Sequence, residues 1–334
     1  VFWVMAQHCL NRTPNDSLRG LQDNVQSLWV GAVQREDASI SPCRFVREYV
    51  LRSRPVILKD IASDWAAHRE WSDEYLSSVL PGSVSVNFTP DGFGDAVIRR
   101  QGQEPVFVKP LEEEIKFIDF LSMMKGEGED RGVPYLSKQN DSLRQETPVL
   151  LEDATGEKME AFAEEVFGCA PEAVNLWIGD DRAVSSVHKD FYENFYTVVR
   201  GVKRFVLMPP TDIAWLQEKQ FRSAQYVRVG NGFAVEEEDE AVPWIEVDPA
   251  APQLSAAPDF QRCSPVFVEV REGETLFLPA LWYHRVTQTG ITIAVNRWYD
   301  MDFQSPVFFL YQHVRDLAGL GDSEARCDTD SNES

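Results

Sequence analysis

The amino-acid sequence predicts a mostly β fold with flanking helices, built on a sandwich or jelly roll. Two observations carry that expectation. From Ala173 onward the chain is a succession of short runs rich in β-branched and aromatic residues, punctuated by glycine turns. Apolar residues at helical spacing are confined to the two ends and to a few segments before that point. With 334 residues, 43% hydrophobic and 11% aromatic, the chain can bury a sizeable core.

Leu18, Leu21, Val25, Leu28 and Ala32 recur at helical spacing and predict an amphipathic helix over residues 16–34. A second helix is expected over residues 43–51. Arg54-Pro55-Val56-Ile57-Leu58 reads as the first buried strand, with proline at its start. Helical signals return over residues 72–79 and 111–124. Between them Val84, Val86 and Phe88 alternate as a strand before the Pro90-Asp91-Gly92 turn. The strands expected after Ala173 are 174–178, 185–190, 195–199, 203–208, 266–270, 275–278, 283–287 and 291–298, with Arg200-Gly201 and Thr289-Gly290 as hairpin turns. Residues 211–262 read as a long insertion, its acidic run 236–240 a solvated loop. Ser305-Pro306 supplies a helix N-cap and first turn, and Val307, Leu310, Val314 and Leu317 form a stripe ending near Gly319 and Gly321. The expected organisation is an N-terminal helical region 1–52, a main domain 53–304, a C-terminal helix 305–321 and a disordered tail 322–334.

Lys and Arg total 32 against 54 Asp and Glu, a net charge of −22. Such a surface repels phosphate backbones, so no nucleic-acid partner is expected; it attracts a basic peptide or protein. The five cysteines, Cys9, Cys43, Cys169, Cys263 and Cys327, are scattered and form no CxxC pair. Neither a disulfide framework nor a zinc site is indicated, and a cytoplasmic or nuclear compartment fits. No apolar run is long enough to cross a membrane, and the apolar stretch 1–6 is too short for a signal-peptide core. A chain that begins with Val1 rather than Met is expected to be a fragment or a processed form.

The histidines are His8, His68, His188, His284 and His313. Val187-His188-Lys189-Asp190 places a His-x-Asp in an expected strand, where the period of two sets imidazole and carboxylate on one face. Alone, such a tripeptide also arises as a surface hydrogen-bonded pair. His284, at the start of a later β segment, offers a third ligand. Two histidines and one carboxylate leave open the positions that non-haem Fe(II) needs for a cosubstrate and O2. Lys203, fifteen residues after His188 (203 − 188), opens the largely apolar strand Lys203-Arg204-Phe205-Val206-Leu207. A lysine there is costly unless it meets an anion such as the distal carboxylate of 2-oxoglutarate; an edge-strand or snorkelling lysine is the alternative. Thr292, Ala294 and Asn296 share a small or polar face that leaves room for a ligand, while Ile293 and Val295 share the other. His8, His68 and His313 lack ligand-like neighbours, and Trp177, Trp282 and Trp298 are expected in the core.

The segment Ser185-Ser186-Val187-His188-Lys189-Asp190-Phe191-Tyr192-Glu193-Asn194-Phe195-Tyr196, followed by Gly201-Val202-Lys203-Arg204-Phe205, resembles a JmjC domain. So does Gly273-Glu274-Thr275-Leu276-Phe277-Leu278-Pro279-Ala280-Leu281-Trp282-Tyr283-His284. Thr89-Pro90-Asp91-Gly92, Val242-Pro243-Trp244-Ile245 with Asp248-Pro249, and Asn296 with Trp298-Tyr299-Asp300-Met301 make the chain most similar to the small jumonji-domain lysyl hydroxylases of developmentally regulated GTP-binding proteins. The likeness runs from Arg54 to Met301. It implies a cupin-like double-stranded β-helix with Fe(II) on His188, Asp190 and His284, and with 2-oxoglutarate and O2 as cosubstrates. It further implies that Ser185, where the family often has threonine, and Tyr135 reach the same distal carboxylate as Lys203. Asn194 and Asn296 would lie near the metal-side carboxylate and the keto-acid pocket. The implied reaction is hydroxylation of a lysine of a GTPase, in a homodimer joined by the terminal helices. Demethylation of N-methyl-lysine or N-methyl-arginine, or peptidase-type histone processing, would use the same domain. A non-catalytic cupin-like binding module is a further alternative, against which the intact ligand set argues.

Overall fold

A computed structural model describes residues 13–28, 31–128 and 130–320. His8, the apolar stretch 1–6 and the tail 322–334 lie outside the described residues. Helix α1 covers Pro14–Leu28 and stops short of the expected residue 34. Gly31 takes φ +71°, and Gln34–Asp37 is strand β1, set into the region expected to be helical. Its pairing with Val56–Lys59 (β2) overrides the helical spacing that Ala32 continues. Pro42–Phe45 (α2) starts on Ser41, whose hydroxyl accepts from the Arg44 amide, and runs on as a π-helical turn, Val46–Val50.

Asp73–Val79 (α3) starts on the Ser72 cap. Then come Ser83–Thr89 (β3), Phe93–Gly94 (β4), Ala96–Ile98 (β5) and Val106–Lys109 (β6). Only the second half of the helix expected over 111–124 forms. Leu111–Lys116 is strand β7, and Phe117–Met124 is helix α4. Three consecutive glutamates favour a helix locally, yet Ile115 is buried where β7 pairs with β3, and that pairing decides. Val133–Leu136 (β8), Glu157–Phe167 (α5), Ala173–Gly179 (β9) and Val184–His188 (β10) follow.

The largest departure from expectation concerns the two glycine turns. Tyr192–Met208 is one continuous strand, β11, and after Lys219–Val229 (β12), Gly232–Trp244 (β13), Val266–Arg271 (β14) and Glu274–Leu278 (β15), Tyr283–Asp300 is another, β16. They pair antiparallel from Tyr192↔Asp300 to Met208↔Tyr283, with register shifts around Arg200. Arg200-Gly201 is therefore a bulge that bends a long strand rather than a hairpin. Gly201 sits at φ +83°, and a Cβ there would stand 2.6 Å from the Thr292 hydroxyl, so the bend needs glycine. The main sheet runs β1-β2-β15-β11-β16-β9-β8-β3-β7, with β14 on β11, β10 on β16 and β4 on β10. A second sheet has the order β13-β12-β6-β5. The 211–262 stretch thus contributes a hairpin, and its acidic run is strand rather than loop. Glu237 pairs with Arg100 and Arg222, and Glu238 with Lys109.

Helices pack on one side of the bent main sheet. Phe45 of α2, Phe162 of α5, Phe195 and Phe277 interlock with ring centroids 5.0–6.2 Å apart. Ile293 and Val295 face this cluster, while Ala294 faces the other, as their alternation predicted. Pro306–Leu317 (α6), capped by Ser305, packs against α1 and the short helix Ile213–Leu216. Leu18, Ile213, Tyr311 and Val314 are buried there, so much of each terminal stripe covers its own chain.

Candidate active site

His188 ends β10 and faces His284 at the start of β16, their ring centroids 4.2 Å apart. Asp190 lies just past the strand expected to carry it, its carbonyl accepting from the Leu281 amide at 2.8 Å. That amide belongs to the segment leading into His284, where Leu281 is held at φ +68°, a costly conformation for a bulky residue. The ligand atoms of His188, Asp190 and His284 lie within 4.8 Å of one another, and Asp190 Oδ2 is 3.5 Å from His284 Nε2.

Both imidazoles are oriented by backbone. His188 Nδ1 is 2.7 Å from the Ser186 carbonyl and His284 Nδ1 2.9 Å from that of Trp282. An Nδ1–H donating to each carbonyl leaves the Nε2 lone pair free for a metal. Burial first, and then His188, push the His284 imidazole down to about 4 against the pull of Asp190. It is a neutral donor at physiological pH. Two imidazoles and a carboxylate gathered at the end of the β10–β16 pair fit a divalent metal with open positions, the donor set of non-haem iron.

A one-residue bulge between Ser185 and His188 lets residues three apart line the same recess, against the period of two. Tyr135, Asn194 and Asn296 line it as well. Deeper in, Lys203 is fully buried and donates to the Tyr135 phenol at 2.9 Å and to Gln288 Oε1 at 2.5 Å. No carboxylate pairs with it among the described residues, and burial pushes its ammonium down to about 7. An ammonium kept in a core without an anion fits an incoming carboxylate. The Ser185 hydroxyl and the phenols of Tyr135 and Tyr196 form one hydrogen-bonded group beside it. At the metal side, Asn296 Oδ1 accepts from the Trp177 indole at 2.7 Å and its amide donates to Asn194 at 3.3 Å.

All eight residues singled out in the sequence thus meet around one recess, which opens into a cleft of about 260 Å³. Several neighbours escaped sequence reasoning. Gln288 was recoverable, since it stands on the same strand face as His284 and Val286. Trp177, expected only as core, also orients Asn296. Asp95 and Trp244 line the cleft without any local motif to mark Asp95. Gly179 gave no signal either: a Cβ there would stand 2.6 Å from the Tyr135 ring and 3.1 Å from the Gln288 amide, so glycine admits both. His68 packs on Trp65 and His313 is exposed, as expected of bystanders.

A bent, mostly antiparallel sheet carrying a two-histidine, one-carboxylate cluster fits a cupin-type metal site. A family described as a cupin-like domain matches residues 42–305. The chain is 39% identical over 304 residues to the lysine-specific demethylase JMJ32 of Arabidopsis thaliana, covering 86% of this chain and 87% of that one. It is 39% identical over 295 residues to the bifunctional peptidase and (3S)-lysyl hydroxylase JMJD7 of Homo sapiens, covering 86% and 91%. JmjC domain-containing protein E of Dictyostelium discoideum is 38% identical over 292 residues, covering 78% and 81%. The chain belongs to the cupin-like JmjC oxygenase family, whose members are typically iron- and 2-oxoglutarate-dependent.

Proposed function

We propose that this chain is an Fe(II)- and 2-oxoglutarate-dependent protein hydroxylase that acts on a lysine side chain. The observation that carries the reading is a three-residue cluster of potential ligands sharing one recess with a fully buried lysine that has no anionic partner among the described residues. His188, Asp190 and His284 would hold the metal. Lys203, with Tyr135 and Ser185, would take the distal carboxylate of the keto acid, and Asn194 and Asn296 would lie by the near one. The bound iron, keto acid and O2 together supply oxidation of an unactivated C–H bond. The chain's part is to orient and to shield. The backbone carbonyls fix both imidazoles, Lys203 and Tyr135 set the keto acid's direction, and Trp177, Phe205 and Val286 keep water from the recess.

Lysine is what the names of two relatives, a lysine-specific demethylase and a lysyl hydroxylase, have in common. A lysine-presenting protein also suits a net charge of −22. By likeness, the partner is a GTPase, met in the cytoplasm or the nucleus. The test is succinate release from 2-oxoglutarate with and without a lysine-containing GTPase peptide, followed by mass spectrometry of the peptide. Gain of one oxygen on lysine supports the reading, and loss of a methyl mass transfers it to demethylation. A homodimer through the terminal helices belongs to the same proposal, with Phe309 and Leu310 exposed on α6 to form it. Light scattering after size exclusion tests that, and a clean monomer removes it.

A further inference from the structure

The cleft above the centre holds three carboxylates with different fates. Asp190 faces the imidazoles, and Glu218 is neutralised by Arg315 at 2.7 Å. Asp95 lines the same cleft, yet among the described residues none donates a hydrogen bond to its carboxylate and no cation pairs with it. Two groups act on it from a distance: His188, a residue of the candidate metal centre, and Lys109, which is engaged by Glu238 at 2.7 Å. The Asp95 backbone is held at φ +48°, costly for a residue other than glycine. Its neighbours hold it there: Gly94 pairs with Ser185 of β10, and the Ser186 hydroxyl donates to the Asp95 carbonyl. The Trp244 indole donates to that same hydroxyl and lies parallel to the His188 ring, 6.4 Å away.

We propose that Asp95 is a specificity-determining residue whose carboxylate receives the free ε-ammonium of the target lysine, with the lysine stem lying along Trp244. The inference rests on the hydroxylase reading above and narrows its substrate to unmodified lysine. A carboxylate kept in a cleft without a partner is costly, and burial already pushes this one above its ordinary range. An arriving ammonium offers three N–H donors and a charge that offset the cost. A trimethylated lysine has no donor and an acetylated lysine has no charge.

The test compares a lysine-containing GTPase peptide with its Nε-acetyl and Nε-trimethyl forms, by dissociation constant and by oxygen incorporation, in wild type, Asp95→Asn and Asp95→Glu. Asparagine tolerates a positive φ as well as aspartate does, so the first variant changes charge rather than backbone; thermal midpoints check the fold. Wild type is expected to bind the free lysine about 10- to 100-fold more tightly than the acetylated form. Asp95→Asn is expected to lose that preference and Asp95→Glu to recover part of it. If wild type hydroxylates lysine but Asp95→Asn keeps the full preference, the assignment of Asp95 is overturned and the hydroxylase reading stands. If wild type places no oxygen on lysine, both fall together.

Discussion

Replacing Lys203 by methionine separates stability from function. The ammonium is fully buried, and burial brings its pKa from 10.5 to about 7 in the fold. That difference corresponds to a destabilisation on the order of 5 kcal/mol. The sign follows from proton linkage: the unfolded chain holds the proton more tightly, so the penalty is complete below about pH 7 and fades as pH climbs toward 10.5. Methionine removes it but leaves the Tyr135 phenol and the Gln288 amide without their partner, at about 1–3 kcal/mol each. At about 2 kcal/mol for each group, a net gain of about 1 kcal/mol remains near pH 6, a rise of about one to two degrees in the melting midpoint of the cofactor-free protein. The gain should shrink steadily by pH 9, and 2-oxoglutarate should no longer raise the midpoint of the variant. Differential scanning fluorimetry at three pH values, with and without the keto acid, measures both. A variant destabilised equally at pH 6 and pH 9, or one still stabilised by the keto acid, refutes the reasoning.

The same lysine makes 2-oxoglutarate affinity pH-dependent: the free site loses its proton above about 7, so the dissociation constant should rise about tenfold per unit beyond that, as calorimetry would record. Changing His284 to alanine removes one of the three candidate metal ligands, and bound iron and turnover should both fall by more than about 100-fold, read by elemental analysis and succinate release. Gly179→Ala forces a methyl group against the Tyr135 ring, at about 1–3 kcal/mol, which should weaken 2-oxoglutarate on the order of tenfold without displacing the metal. Phe45→Ala empties the centre of the aromatic cluster and should destabilise by about 3–5 kcal/mol in denaturant titration, with the metal site intact in the folded fraction.

The His188, Asp190 and His284 cluster was legible because its chemistry is concentrated in few residues. Histidine is scarce in this chain, and His188 and Asp190 announce themselves by spacing. Lys203 was legible because a cation in an apolar strand demands a reason. The bends at Gly201 and Gly290 were not, since a glycine at positive φ serves a hairpin and a bulge alike; only the pairing of β11 with β16 beyond them distinguishes the two. The acidic run was misread for a similar reason. Its cations, Arg100, Lys109 and Arg222, come from distant segments, so no local pattern distinguishes a paired strand from a solvated loop. Asp95 was invisible because what marks it is the absence of a partner among the described residues, and that is a property of three-dimensional packing.

The single pair of long strands has a further consequence. His284 and Gln288 stand on β16, and their cross-strand partners Leu207 and Lys203 on β11, so one hydrogen-bonded ladder carries both the histidine end and the lysine end of the recess. The distance between those ends is then set by backbone register, as graduations are set on a ruler, and side-chain repacking alters it little. A keto diacid one methylene shorter or longer than 2-oxoglutarate would grip one end and miss the other.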